Sequence, residues 1–133
     1  MMILRKGAKN CMERTIQTVG RPLEASLVRW LFSDGEVEDV IRELLSFQNP
    51  DGGFGHGLES DFRLPDSSPL ATSVGIRILL ELPEGNERNR MMDAAFSYLE
   101  EAYLNERGGW YAVPVEVMDY PHAPWWSINH RTQ

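Results

Sequence analysis

Apolar residues alternate along this chain between two kinds of run. In the first kind, Leu23, Leu27, Val28, Trp30, Leu31 and Phe32 follow Pro22, and Leu70, Val74, Ile76, Ile78, Leu79, Leu80 and Leu82 follow Pro69. These runs are apolar on nearly every side of a helical wheel, the pattern of a helix covered all round. In the second kind, Val37, Val40, Ile41, Leu44 and Leu45 form one stripe, with Glu36, Glu38, Asp39, Arg42 and Glu43 elsewhere. Met92, Ala95, Leu99, Ala102 and Tyr103 form another, against Arg90, Asp93, Ser97, Glu100 and Glu101. That is the 3.6-residue period of a helix with one wet face. Ser33-Asp34-Gly35 and Pro83-Glu84-Gly85-Asn86 carry stop signals and polar starts between the partners. A sparser set, Met2, Leu4, Met12, Ile16 and Val19, predicts one more outer helix over residues 2–19. The expected fold class is all-α.

Two landmarks repeat. An X-Pro-apolar step opens Arg21-Pro22-Leu23, Ser68-Pro69-Leu70 and Ala123-Pro124-Trp125, at intervals of about 50 residues. A Gly-Gly-aromatic step recurs at Gly52-Gly53-Phe54 and Gly108-Gly109-Trp110, between the prolines. Proline suits the first helical position, where its missing N–H has no partner to lose. The order of landmarks predicts one unit used again: a buried inner helix, a short turn, an amphipathic outer helix and a long loop. Stacked in a curve, such hairpins make an α/α toroid or solenoid with inner helices on the concave side. Units fall at about 20–66 and 67–123, within one domain over residues 1–133, and a third unit opens at Pro124. Its tail, Asn129-His130-Arg131-Thr132-Gln133, has no apolar period. One inner helix cannot hold itself together without neighbours, because packing rather than propensity supplies most helix stability. The domain therefore reads as incomplete. Two expectations follow: repeats missing from the C-terminal side, or self-association that covers the open end.

The segment Gln48-Asn49-Pro50-Asp51-Gly52-Gly53-Phe54-Gly55 resembles the repeat motif of the terpenoid cyclases and protein prenyltransferases. Asn105-Glu106-Arg107-Gly108-Gly109-Trp110 resembles a degraded second copy that lacks the Gln and the Asp. Gly55-His56-Gly57-Leu58-Glu59-Ser60-Asp61 and Asp119-Tyr120-Pro121-His122-Ala123-Pro124-Trp125-Trp126 are also similar to a group of bacterial toroid proteins. The resemblance spans about residues 20–126 and implies the α/α-toroid fold. It carries little chemistry. The Asp-X-Asp-Asp acid of the class II cyclases, the Asp-rich diphosphate motifs and a zinc set of Asp, Cys and His have no counterpart here. The motif itself has a structural explanation: glycines allow a sharp reversal, the aromatic packs on the next hairpin, and the Gln amide bonds helix-end groups.

Composition narrows the function classes. The net charge of −7 over 133 residues, with no basic run, excludes a nucleic-acid backbone as partner. No stretch approaches the roughly 20 apolar residues of a membrane span. A single cysteine, Cys11, precludes an internal disulfide and suits a reducing, cytoplasmic setting.

Candidate chemistry lies on the two long loops, 55–68 and 111–123, both of which run from an outer to an inner helix and so should meet at one rim. They carry His56, Glu59, Asp61 and Asp66 on one side, and Glu116, Asp119, Tyr120, His122, Trp125 and Trp126 on the other. Three readings compete. In the first the acids cap helices and the aromatics are core, with Asp66, Ser67 and Ser68 ahead of Pro69 placed for capping. In the second Asp61, with Glu59 or Asp119 and with His122, does acid–base work. His56, Tyr120, Trp125 and Trp126 then hold a small apolar or polyol substrate. The third, a metal held by His56, His122 and an acid, lacks ligand spacing. No cofactor is expected. Adjacent tryptophans stand about 100° apart on a helix, so one of Trp125 and Trp126 faces a cavity while the other packs. Arg77 is the lone charge in its apolar run, either paired within the core or reaching outward. The functional expectation is thus a toroid protein binding a small molecule at its loop rim. A carbohydrate-active glycosidase or lyase and a non-enzymatic interaction module are the alternatives.

Overall fold

The computed structural model describes residues 20–126, together with Gly7, Ala8, Asn10, Cys11, Arg14 and Thr15. The apolar positions of the helix expected over 2–19 lie outside the described residues, as does everything after Trp126. Among the described residues, four α-helices have both ends defined: α1 (Pro22–Phe32), α2 (Val37–Leu45), α3 (Pro69–Glu81) and α4 (Asn86–Ala102); Gly7, Ala8, Asn10, Cys11, Arg14 and Thr15 are also helical. Two short 3-10 turns, Val115–Asp119 and Pro124–Trp126, come later. There is no strand among the described residues, only isolated antiparallel bridges. The protein is all-α.

The contacts divide the chain into two compact units, one ending at Ser46 and one beginning at Phe47. In the first, α1 and α2 pack as a hairpin. Pro22 occupies the first turn of α1, and the Arg21 guanidinium pairs with Glu24 beside it. The helix stops at Ser33, where the amides of Ser33 and Gly35 both return to the Arg29 carbonyl, at 2.9 and 3.1 Å. A β-carbon on Gly35 would stand 2.7 Å from the Arg29 backbone, so this turn closes directly onto the helix end. Leu23, Val40 and Leu44 are buried and Leu45 is exposed, so the predicted stripe of α2 is centred on Val40 and Leu44.

The second unit holds the α3–α4 hairpin and both long loops. Ser68 caps α3, its hydroxyl accepting the Ala71 N–H at 3.1 Å, and Pro69 follows at the first helical position. Arg88, early in α4, donates from Nε to the Leu79 carbonyl at the end of α3 (3.0 Å), fastening the two helices at their turn. Met92 and Ala95 of the expected stripe are buried and Met91 is buried beside them, whereas Leu99 and Ala102 are half-buried and Tyr103, just past the helix end, is exposed. α3 differs from expectation. Thr72, Gly75 and Leu79 face inward, but Ser73, Arg77 and Leu80 leave the opposite face exposed, with Leu80 at 62%. An apolar wheel records that burial is tolerated on every side, not that a neighbour covers each. Arg77 accordingly reaches outward.

The division between units falls at 46/47. The cause is the loop from Phe47 to Ser68, which packs with the hairpin that follows it.

Candidate functional site

The Gln48–Gly55 turn is built so that its polar atoms are consumed internally. Gln48 Nε2 donates to the carbonyls of Gly52 (2.9 Å) and Met91 (3.1 Å), pinning the turn to α4. Asp51 Oδ1 accepts the Gly53 N–H (2.9 Å) and the Ser67 hydroxyl (2.6 Å). Asn49 Nδ2 donates to the Pro65 carbonyl and to Ser67 Oγ, while Asn49 Oδ1 meets His56 Nε2 at 2.7 Å. Gly52 has φ +90° and lies so close to Ala94 that a β-carbon would stand 2.1 Å from its carbonyl oxygen. Phe54, fully buried, presses on Gly75 of α3, and its N–H donates to Thr72 Oγ1 at 2.9 Å. Tyr98 of α4 lies against Gly53. Burial, and then the charge of Asp51, push its phenol up to about 12. Gln48, Asp51 and Phe54 therefore act as staples between the loop and the hairpin, and His56 is drawn into the same network.

The second copy of the motif closes its turn similarly, with Leu104 N–H donating to the Gly109 carbonyl at 2.8 Å and Gly108 at φ +69°. Its aromatic has a different fate. Trp110 is 42% exposed, its indole N–H donates to the Leu99 carbonyl (2.7 Å), and its ring meets Tyr103 edge-on at 5.0 Å. With Phe96 and Leu99 these rings line an open apolar groove of about 380 Å³.

The two long loops meet, as their common direction predicts. Phe62 and His122 form an antiparallel bridge, Arg63 N–H donates to the Pro121 carbonyl (2.8 Å), and Ala123 N–H donates to the Asp61 carbonyl (2.6 Å). Phe62 and Leu64 point into the core while Asp61 and Arg63, on the alternate positions, do not. Between the loops is a cleft of about 260 Å³, lined by residues 60–63 and 121–123. Trp125 Nε1 donates to Asp61 Oδ2 at 3.1 Å, and the ring itself is 69% exposed. Trp126 packs instead, its ring edge-on to Phe62 at 6.0 Å. Its indole N–H is buried and has no partner among the described residues. His122 Nδ1 lies 2.7 Å from the Tyr120 carbonyl oxygen, which can only accept. Nδ1 is therefore the donor of this bond.

Of the candidates from sequence, Asp61, His122 and Trp125 are thus brought together. Glu59 is close in the chain, but its Oε1 accepts the Asp61 N–H (3.2 Å). Asp119 and Glu116 lie exposed on the Val115–Asp119 turn, and Tyr120 and Asp66 are exposed as well. Among the described residues, no group of three or more His, Cys, Asp or Glu side chains could hold a metal ion. No described helix is long and apolar enough to cross a membrane. Arg63 and Ser60, which also line the cleft, were not among the sequence candidates. The polar–apolar alternation Asp61-Phe62-Arg63-Leu64 is the signal that marks Arg63. Comparison of the chain with protein-family models, with curated proteins and with solved structures finds no match.

Proposed function

We propose that this chain is a hairpin-repeat protein of the terpenoid-cyclase and prenyltransferase-like α/α-toroid kind, and that it binds a small polyol in the cleft between its two long loops. The toroid reading is supported by the repeated Pro-opened helices and by the Gly-Gly-aromatic turn, whose first copy staples its own loop to the hairpin that follows. The binding reading is carried by one observation: segments some 60 residues apart in sequence close a cleft lined with Asp61, Arg63 and His122, beside an exposed indole. Polar groups converging in a concavity are the mark of a ligand site, and they favour hydroxyls over an isoprenoid chain. Binding is better supported than hydrolysis, because Glu59 is spent on a backbone amide and Asp119 sits on an exposed turn. Calorimetric titration with a panel of neutral and acidic monosaccharides should give saturable binding. Asp61→Asn should weaken it about tenfold, the cost of a hydrogen bond to a charged acceptor. Prenyl diphosphates binding in place of sugars, indifferent to Asp61→Asn, would refute the proposal.

The interaction-module reading has its own observation in the Phe96–Trp110 groove. Phe54 is covered by the helix that opens at Pro69, whereas Trp110, at the equivalent place, is open. A second copy of the chain, which brings another Pro-opened helix with Leu31 exposed, is the occupant this pattern favours. Light scattering should then show concentration-dependent association that Trp110→Glu abolishes; a monomer at every concentration would eliminate it.

A further inference from the structure

The cleft holds two opposite charges that do not neutralise each other. Asp61 and Arg63 both line it, on either side of Phe62, whose side chain is buried. Arg63 NH1 donates to the carbonyl oxygens of Ser60 (2.7 Å) and Phe62 (3.5 Å), and no carboxylate among the described residues pairs with its guanidinium. The chain has 20 acidic residues against 13 basic ones, so an arginine without an acid partner is not for want of acids. Its planar fork suits a carboxylate arriving with a ligand. Asp61 is half satisfied: Oδ2 takes the Trp125 indole N–H, and Oδ1 takes no donor among the described residues. An ionised carboxylate only accepts, so the ligand has to bring a donor to it. One open oxygen suits a hydroxyl, whereas an ammonium brings three N–H groups to the same place. Trp125, held at its N–H edge and open on its face, offers a surface on which a sugar ring stacks.

We infer that the cleft takes a sugar acid, with the carboxylate on the Arg63 guanidinium, a ring hydroxyl donating to Asp61 Oδ1, and the ring face against Trp125. The inference rests on the polyol reading above and adds to it the charge of the ligand. The test is calorimetric titration of the full chain with D-glucuronate, D-glucose and L-glutamate, repeated with Arg63→Gln and Arg63→Lys. Glucuronate should bind at least about tenfold more tightly than glucose, as a charge-assisted bond present in one ligand and absent from the other implies. Arg63→Gln should reduce that ratio to about one, while Arg63→Lys, which keeps the charge but loses the fork, keeps part of it. Added salt should weaken glucuronate and leave glucose unchanged. Glucose binding as tightly as glucuronate would overturn the sugar acid and leave the polyol cleft standing. Binding of neither sugar would overturn both readings. Preference for L-glutamate would overturn the assignment in favour of an amino acid.

Discussion

Replacing Gly75 by alanine should destabilise the protein even though alanine is the better helix former. Gly75 lies inside α3, where the exchange by itself gains about 1 kcal/mol. The added β-carbon, however, would stand 2.5, 2.7 and 2.8 Å from Cδ2, Cε2 and Cγ of the Phe54 ring. The ring cannot easily retreat. Phe54 is fully buried, its N–H is held by Thr72 Oγ1 and its carbonyl by the Ser68 N–H (3.2 Å). Overpacking of this kind costs about 1–3 kcal/mol, so the net loss should be about 0–2 kcal/mol. The stronger form of the prediction is a reversal of sign. Phe54→Ala alone should cost about 3–5 kcal/mol by leaving a cavity. In that background Gly75→Ala should stabilise by about 1 kcal/mol, since the helical gain remains and the clash is gone. Urea unfolding of the four variants, followed by far-ultraviolet circular dichroism, gives the coupling directly. Stabilisation by Gly75→Ala in both backgrounds would refute the packing of the motif aromatic on α3.

The Gln48 amide holds two carbonyls, so Gln48→Ala should lower stability by about 1–3 kcal/mol in the same urea assay. Gln48→Glu should do no better, because an ionised carboxylate has no hydrogen to donate to either carbonyl. Tyr98 should ionise near pH 12 in an absorbance titration at the phenolate band, and Asp51→Asn should bring it part of the way back toward 10. With the folded pKa raised, stability from this group is constant below about pH 10 and falls as pH rises from 10 to 12, because the unfolded chain releases the proton first. Tyr98→Phe should flatten that fall.

Much of the fold is legible in the residues because the signals are local. Pro22 and Pro69 mark helix starts by lacking an N–H, Ser68 caps from the next position back, and the stripes of α2 and α4 follow the helical period. The meeting of the long loops was also legible, since connections that repeat the same helix-to-helix step leave from the same side. Other features depend on neighbours that a wheel cannot show. The outward face of α3 at Arg77 and Leu80 is one, and the contrast between buried Phe54 and open Trp110, which share a motif, is another. At the site, Asp61, His122 and Trp125 follow from loop placement. His56 does not, because Asn49 Oδ1, seven residues earlier, takes its ring nitrogen. Arg63 is not marked by residue type, being neither an acid, an imidazole nor an aromatic; only its place in the alternation Asp61-Phe62-Arg63-Leu64 puts it on the cleft.

The most direct test of the central claim, a polar ligand cleft closed by two distant loops, is an amide and indole proton–nitrogen NMR spectrum recorded during titration with D-glucuronate. The Trp125 indole N–H, which donates to Asp61, and the backbone amides of Arg63 and Ala123, which tie the loops together, should shift along one saturation curve. Shifts confined to the groove of Phe96, Tyr103 and Trp110, or no shifts at all, would contradict it.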